Sequence, residues 1–435
     1  MPIILTRNLP AYRILREEGV EVLQLGDGTH QQRPTLRIAF LNLMPEKART
    51  ETQIARLLGE SAHRVELTFF VPDSYRSKTT PARHLAAFYE RWSSIRERHF
   101  DGLIVTGAPV ETLPFEDVTY WSELTAILDW ARRRVGQSYY ICWAAQAALY
   151  HYHGVPKRPL AEKMFGVFAH RITKPDAPLM KNLDEGFRVP VSRHTEVVAA
   201  DLPPDRGLEV LAESDESGLC LIHDAPKQAH YMFNHLEYDA CTLAQEYQRD
   251  LRGGRPVSLP RHYFPGDDPA RSPAHGWRGC ARTLFRNWLN EVERHSQTRN
   301  GGAEAIDWLL GGGAGPVLAG VRLADFLISV EDSLEAVPTI LNVLAGIGHS
   351  PMALKVTKGN GPFRDIALRI AEVDGAVAAR VARKILHEVD GARRASYRDT
   401  TGTGGIMVSD ARRRSKPEAG IGLHLERQSS RRSVA

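Results

Sequence analysis

Short apolar runs recur along the first 150 positions, at Leu36–Met44, Val65–Val71, Gly102–Val105 and Ser138–Trp143. Between them, ETQIARLLGE, PARHLAAFYERWSSIRE and YWSELTAILDWARRR space their apolar residues three and four apart, the mark of helices with one buried face. Continuous apolar strands separated by amphipathic helices predict a parallel sheet covered on both faces, because a strand buried on both sides has no reason to alternate. Such sheets carry their sites beyond the carboxyl ends of the strands. The turns after Met44, after Val105 and at Cys142 are therefore where chemistry is expected.

From Phe165 to Phe233 the pattern changes to short strands, including GLEVLAES, GLCLIHD and QAHYMF, followed by helices in YDACTLAQEYQRDLRGG and CARTLFRNWLNEVERH. A glycine-rich stretch at 301–315 reads as a linker. Beyond it, ADFLISV, SLEAVPTILNVLAGIG, PMALKVTK, RDIALRIAEV, DGAVAARVARKILHEVDG and ARRASYR follow the β-α-β-β-α-β order of a ferredoxin-like unit over 316–398. Residues 399–435, rich in Gly, Ser and Arg, are expected to be disordered.

Charge narrows the partners. The net charge is +4, but residues 393–435 hold ten Lys/Arg against four Asp/Glu, so the body is slightly acidic. That basic tail has no interleaved aromatic platform on which bases could stack, which argues against a nucleic-acid partner. No window approaches the ~20 consecutive apolar residues of a membrane helix, and the N-terminal MPIILTRNLPAYRILREEG lacks the pattern of a secretory signal. The four cysteines (Cys142, Cys220, Cys241, Cys280) show neither a disulfide framework nor metal-ligand spacing. A cytoplasmic location and no metal are the expectations.

Cys142 ends an apolar strand, and a helix begins directly after it. On such a turn the side chain projects above the sheet edge, the helix N-terminus favours the thiolate, and the Trp143 N–H can stabilise an oxyanion. Equally, a cysteine there can be one more buried apolar residue. His235 and Glu237 follow the predicted strand HYMF with the i, i+2 spacing that puts both on one side of an extended segment. A histidine oriented by a carboxylate can take a proton from a thiol or a hydroxyl; a carboxylate at the start of the next helix is the plainer reading of Glu237.

IVTGAP (Ile104–Pro109), CWAAQAAL (Cys142–Leu149) and HLEYDACTLAQEYQRD (His235–Asp250), with LNLMPEK, YFPGDDP and FRNWLN, resemble the bacterial homoserine O-acyltransferases of methionine biosynthesis over residues 1–300. The resemblance implies a fold similar to class I glutamine amidotransferases, with an acyl-enzyme at Cys142, His235 as base and Glu237 as further catalytic residue. It also implies Lys47 lining the site, Lys163, Ser192 and Arg249 binding homoserine, and Glu111 with Ser192 governing the acyl group. Glutamate at position 111 goes with acetyl transfer, so acetyl-CoA is the expected co-substrate and succinyl-CoA the alternative; no bound cofactor is implied. Leu236 departs from the proline that the family commonly carries between the catalytic His and Glu. Residues 316–398 resemble ACT-type regulatory domains, which implies a homodimer and a small amino-acid effector, against the alternative of an add-on without ligand. A glutaminase would share the trio, but its Gly-x-Cys-x-Gly elbow is replaced here by Tyr140 and Ala144. An amino-acid sensor with an inactive catalytic body and serine in place of homoserine remain open.

Overall fold

In the computed structural model the described residues are 2–26, 35–77, 79–309, 323–331, 336–349, 351–358, 363–371, 375–389, 392–399 and 404–408. The chain forms two compact units, Met1–Ser296 and Gln297–Ala435.

The first unit is built on a twelve-stranded sheet. Its strands are β1 (Ile3–Leu5), β2 (Val22–Gln24), β3 (Leu36–Leu41), β4 (Val65–Val71), β5 (Glu90–Arg91), β6 (Phe100–Val105), β7 (Val135–Ile141), β8 (Arg158–Ile172), β9 (Phe187–Glu196), β10 (Leu208–Ser214), β11 (Gly218–Asp224) and β12 (Ala229–Met232). The order is β2-β1-β4-β3-β6-β7-β12-β11-β10-β8-β9, with β5 beside β4. Pairing is parallel from β2 to β12 and antiparallel from β12 to β9. The helices are α1 (Pro10–Glu17), α2 (Lys47–Gly59), α3 (Ala82–Phe88), α4 (Trp92–Ile95), α5 (Trp121–Arg134), α6 (Trp143–His153), α7 (Thr242–Arg252) and α8 (Arg278–Leu309).

The alternation of side chains along each strand divides the core in two. Ile38, Phe40 and Ile104 point to the layer of α1, α2 and α8, where Leu15, Ile54, Leu58 and Trp288 pack. Ala39, Leu41, Leu103 and Val105 point to α5 and α6, against Leu124, Ile127, Leu128 and Leu149. Gly102 makes room in the first layer: a Cβ there would lie 2.7 Å from Ile38 Cδ1 and 3.1 Å from the Trp288 ring. The continuous apolar runs are thus double-faced central strands, as their sequences require.

Two helices differ from the sequence-based expectation. The helix expected over 81–97 is interrupted, because Tyr89 turns extended (φ −115°, ψ 131°) and is followed by β5. Its buried hydroxyl donates to Glu51 Oε1 at 2.6 Å and accepts from Asn42 at 2.9 Å, a tertiary demand invisible to periodicity. Helix α8 continues through 301–309, part of the expected linker; 310–315 lie outside the described residues.

In the second unit, β13 (Leu323–Glu331), α9 (Ala336–Gly346), β14 (Pro351–Lys358), β15 (Phe363–Ala371), α10 (Gly375–Glu388) and β16 (Ala392–Asp399) follow the β-α-β-β-α-β order. A further strand, β17 (Gly404–Val408), lies inside the segment expected to be disordered and pairs antiparallel with β16. Residues 400–403 and 409–435 of that segment lie outside the described residues. The sheet order β14-β15-β13-β16-β17 is antiparallel throughout. Phe326, Ile328 and Val330 of β13 join Ile340 and Leu344 of α9 and Val381 and Ile385 of α10 in a separate core.

Candidate active site

The parallel strands end together at one edge, where Cys142 links β7 to α6. Its backbone is left-handed (φ 53°, ψ −117°), a conformation that costs a non-glycine residue of order 1–3 kcal/mol and persists only where its surroundings enforce it. They do so at both ends of the residue. Cys142 N–H donates to Met232 O of β12 at 2.7 Å, and its carbonyl accepts the first helical bonds, from Ala145 and Gln146 at 3.0 and 3.3 Å. Gly107, just past β6, abuts this turn: a Cβ there would lie 3.2 Å from Cys142 Cβ and 3.6 Å from Trp143 N. Trp143 N–H, at the first helical position, has no acceptor within its own helix and can serve an oxyanion at the cysteine.

His235 follows β12 and is tied to β9 by its N–H, which donates to Pro190 O at 2.9 Å. Its imidazole Nδ1 donates to Glu237 Oε1 at 2.6 Å, with both side chains buried. Cys142 is close enough to act electrostatically on the ring, and with Nδ1 engaged by Glu237, Nε2 is the nitrogen left for the thiol. Burial alone would disfavour the imidazolium, yet the charges of Glu237 and Cys142 and the hydrogen bond to Glu237 hold its pKa well above the ordinary histidine value. The three residues singled out in the sequence therefore form one buried relay.

Lys163, Ser192 and Arg249 come together around two carboxylates that sequence reasoning missed. Glu246 Oε2 accepts from Ser192 Oγ at 2.6 Å and Lys163 Nζ at 3.3 Å. Asp250 accepts from Lys163 at 3.4 Å and, bidentately, from Arg249 Nε and Nη2 at 2.9 and 3.0 Å. Burial would raise the pKa of Glu246, but Lys163, Ser192 and Tyr238 outweigh it and keep it below the ordinary glutamate value. Both lie on α7 at i, i+4, a face-sharing signal that the sequence carries.

Glu111 follows β6, and its Oε2 accepts from the His194 N–H at 3.1 Å, two residues beyond Ser192. Between them in sequence, Arg193 is fully buried and donates to Asn234 Oδ1 at 2.6 Å and to the Ser217 carbonyl. Burial depresses the Arg193 pKa, with Cys142 and Glu111 among the charges that oppose this.

Lys47 stands apart. Its ammonium donates to the carbonyls of Asn42 and Met44 and lies 4.4 Å from the Tyr75 ring centroid, rather than bonding to the relay. Burial lowers its pKa from 10.5 to about 7, only partly opposed by Glu51. Among the described residues, no group of three or more His, Cys, Asp or Glu could hold a metal ion.

A cysteine on a strained strand-to-helix turn, beside an imidazole held by a carboxylate, marks an α/β protein with a buried thiol–histidine–carboxylate site. The chain belongs to the homoserine O-succinyltransferase family, whose model matches residues 2–298. A homoserine O-acetyltransferase of Chelativorans sp. (strain BNC1) is 49% identical over 292 residues, covering 67% of this chain and 94% of that protein. One from Synechococcus elongatus is 52% identical over 290 residues, covering 67% and 97%. Among solved structures, a glutamine amidotransferase from Thermotoga maritima aligns with a TM-score of 0.41 at 12% identity, over 60% of this chain and 100% of that one. Another, from Methylobacillus flagellatus, gives 0.38 at 12% identity, over 59% and 96%.

Proposed function

We propose that the chain is a homoserine O-acetyltransferase that moves an acetyl group from acetyl-CoA to the hydroxyl of L-homoserine through an acyl-enzyme at Cys142. The observation that carries this is the buried, hydrogen-bonded His235–Glu237 pair beside Cys142 at the head of α6. The thiolate attacks the thioester carbonyl, the Trp143 N–H accommodates the oxyanion, and the CoA sulfur leaves with the proton held by His235. Neutral His235 then takes the proton of the homoserine hydroxyl, whose oxygen attacks the acyl carbon and expels the Cys142 sulfur. Lys163, Ser192 and Arg249 bind the amino-acid end of the acceptor, the arginine suited to a carboxylate by its planar fork. Lys47 assists by lining the site.

Donor selectivity rests on Glu111, held on the β9 backbone next to Ser192 and Arg193. A succinyl tail ends in a carboxylate, and two like charges about 4 Å apart at an effective dielectric near 20 repel by about 4 kcal/mol. The name of the family favours the other donor, so succinyl-CoA is the second reading. Thiol release from each donor, with the wild-type chain and Glu111→Gly, separates them. Wild-type preference for acetyl-CoA, weakened by the glycine, is expected; preference for succinyl-CoA would overturn the donor assignment.

All four cysteines are unpaired, and no described helix is long and apolar enough to cross a membrane, which supports a cytoplasmic enzyme. The β-α-β-β-α-β unit serves as an ACT-like module that pairs with a second copy and binds a small amino-acid effector, a reading supported by its element order.

A further inference from the structure

Tyr238 lies in neither set of residues considered so far, yet it touches both. Its ring stacks on the His235 imidazole, with centroids 4.2 Å apart and planes 20° from parallel. Its hydroxyl donates to Glu246 Oε1 at 2.8 Å, while the opposite oxygen of that carboxylate holds Ser192 and Lys163. The residue is buried, and its carbonyl is fixed by the Trp277 indole N–H at 2.8 Å. The Nδ1 bond to Glu237 restrains one edge of the imidazole but leaves the ring free to swing about that bond. A face-on aromatic neighbour removes that freedom. A buried phenol must also have a hydrogen-bond partner, so the ring cannot shift without disturbing Glu246.

We propose that Tyr238 is a positioning residue with two separable duties. Its ring fixes the plane of His235 beside Cys142, and its hydroxyl ties that base to the Glu246 carboxylate on which Ser192 and Lys163 converge. The first duty serves both half-reactions, since each needs Nε2 aimed at the reacting sulfur or hydroxyl. The second serves only the half-reaction in which the acceptor is present. The hydroxyl duty rests on the acyl-transfer reading above, whereas the ring duty rests on geometry alone.

Two variants separate the duties. Tyr238→Phe keeps the ring and removes the hydroxyl; Tyr238→Met fills the space without a ring. The first measurement is the rate of Cys142 alkylation by iodoacetamide against pH, which reports how the imidazole serves the thiol without any acyl donor. Tyr238→Phe is expected to follow the wild-type curve. Tyr238→Met is expected to lose about tenfold in alkylation rate across the curve, because the imidazole no longer keeps its plane beside the thiol. The second measurement compares acyl-enzyme formation from acetyl-CoA with turnover on added L-homoserine. Tyr238→Phe should form acyl-enzyme at close to the wild-type rate while its KM for homoserine rises about tenfold, the effect of losing one buried hydrogen bond to a charged group.

Coincident alkylation curves for wild type and Tyr238→Met would overturn the ring duty. Equal losses in both half-reactions of Tyr238→Phe would overturn the hydroxyl duty. Exposure of the buried Cys220 to iodoacetamide marks a variant that has lost its fold, and Tyr238→Leu, also without a ring, then replaces Tyr238→Met in judging the ring. No thiol release by the wild-type chain from either acyl donor would count against the acyl-transfer reading itself, and the alkylation curves would still judge the ring.

Discussion

At the scale of single residues, the account turns on groups whose protonation the fold controls. In the proposed reaction Cys142→Ala removes the nucleophile, and turnover is expected to fall at least about 10³-fold, as for other covalent catalysts stripped of their nucleophile. Glu237→Gln keeps the shape beside His235 but removes the charge that favours the imidazolium. The His235 pKa should then fall back toward the ordinary histidine value, read from its imidazole resonances in an NMR titration. Lys47 gives a stability signature of definite sign. Its folded pKa of about 7 lies below the unfolded 10.5, so between these values the unfolded chain binds more protons and stability rises with pH. Chemical denaturation from pH 7 to 10 should show that rise in the wild-type chain and lose part of it in Lys47→Met. An unchanged slope would mean that the lysine is not held neutral.

At the scale of elements, strands were the most legible part of the chain. Val65–Val71 matches its apolar run residue for residue, because burial on a sheet imposes a local pattern that sequence can carry, and Pro351–Lys358 has the bounds its sequence predicts. The break at Tyr89 was not legible, since a partner 38 residues earlier in the chain causes it. Of the site, Cys142, His235 and Glu237 could be picked from their places at predicted strand ends. Glu246 and Tyr238 could not: the i, i+4 spacing of Glu246 and Asp250 marks a shared face, but not that Ser192 of β9 and the Tyr238 hydroxyl meet on Glu246. Lys163 and Arg249 were reached through resemblance, their local sequence being that of ordinary surface charges. Close backbone approaches were equally hidden. At Gly166 (φ 153°) a Cβ would lie 2.4 Å from the Arg261 carbonyl oxygen. Gly166→Ala should therefore separate β8 from the Arg261 segment, at a cost of about 2–3 kcal/mol, measured by urea unfolding.

At the scale of the whole molecule, the family match ends at residue 298, close to the boundary between the two compact units after Ser296. The chain spans 92–97% of the length of relatives such as those of Rhizorhabdus wittichii and Synechococcus elongatus while using about two thirds of its own. A truncated chain of residues 1–309 is thus expected to fold and to keep acyl transfer within about threefold of the full chain, because single domains carry their own cores. If the second unit binds an effector, full-length activity should respond to added amino acids such as L-methionine and that of the truncated chain should not. Equal responses would remove the regulatory reading.

The central claim is that an acyl group rests covalently on Cys142 between donor and acceptor. Intact-mass spectrometry of the chain mixed with acetyl-CoA alone tests it most directly. The expected result is one acetyl adduct per chain, mapped to Cys142, absent from Cys142→Ala and discharged on adding L-homoserine. Turnover with homoserine in which no adduct forms, or an adduct that homoserine does not discharge, would contradict it.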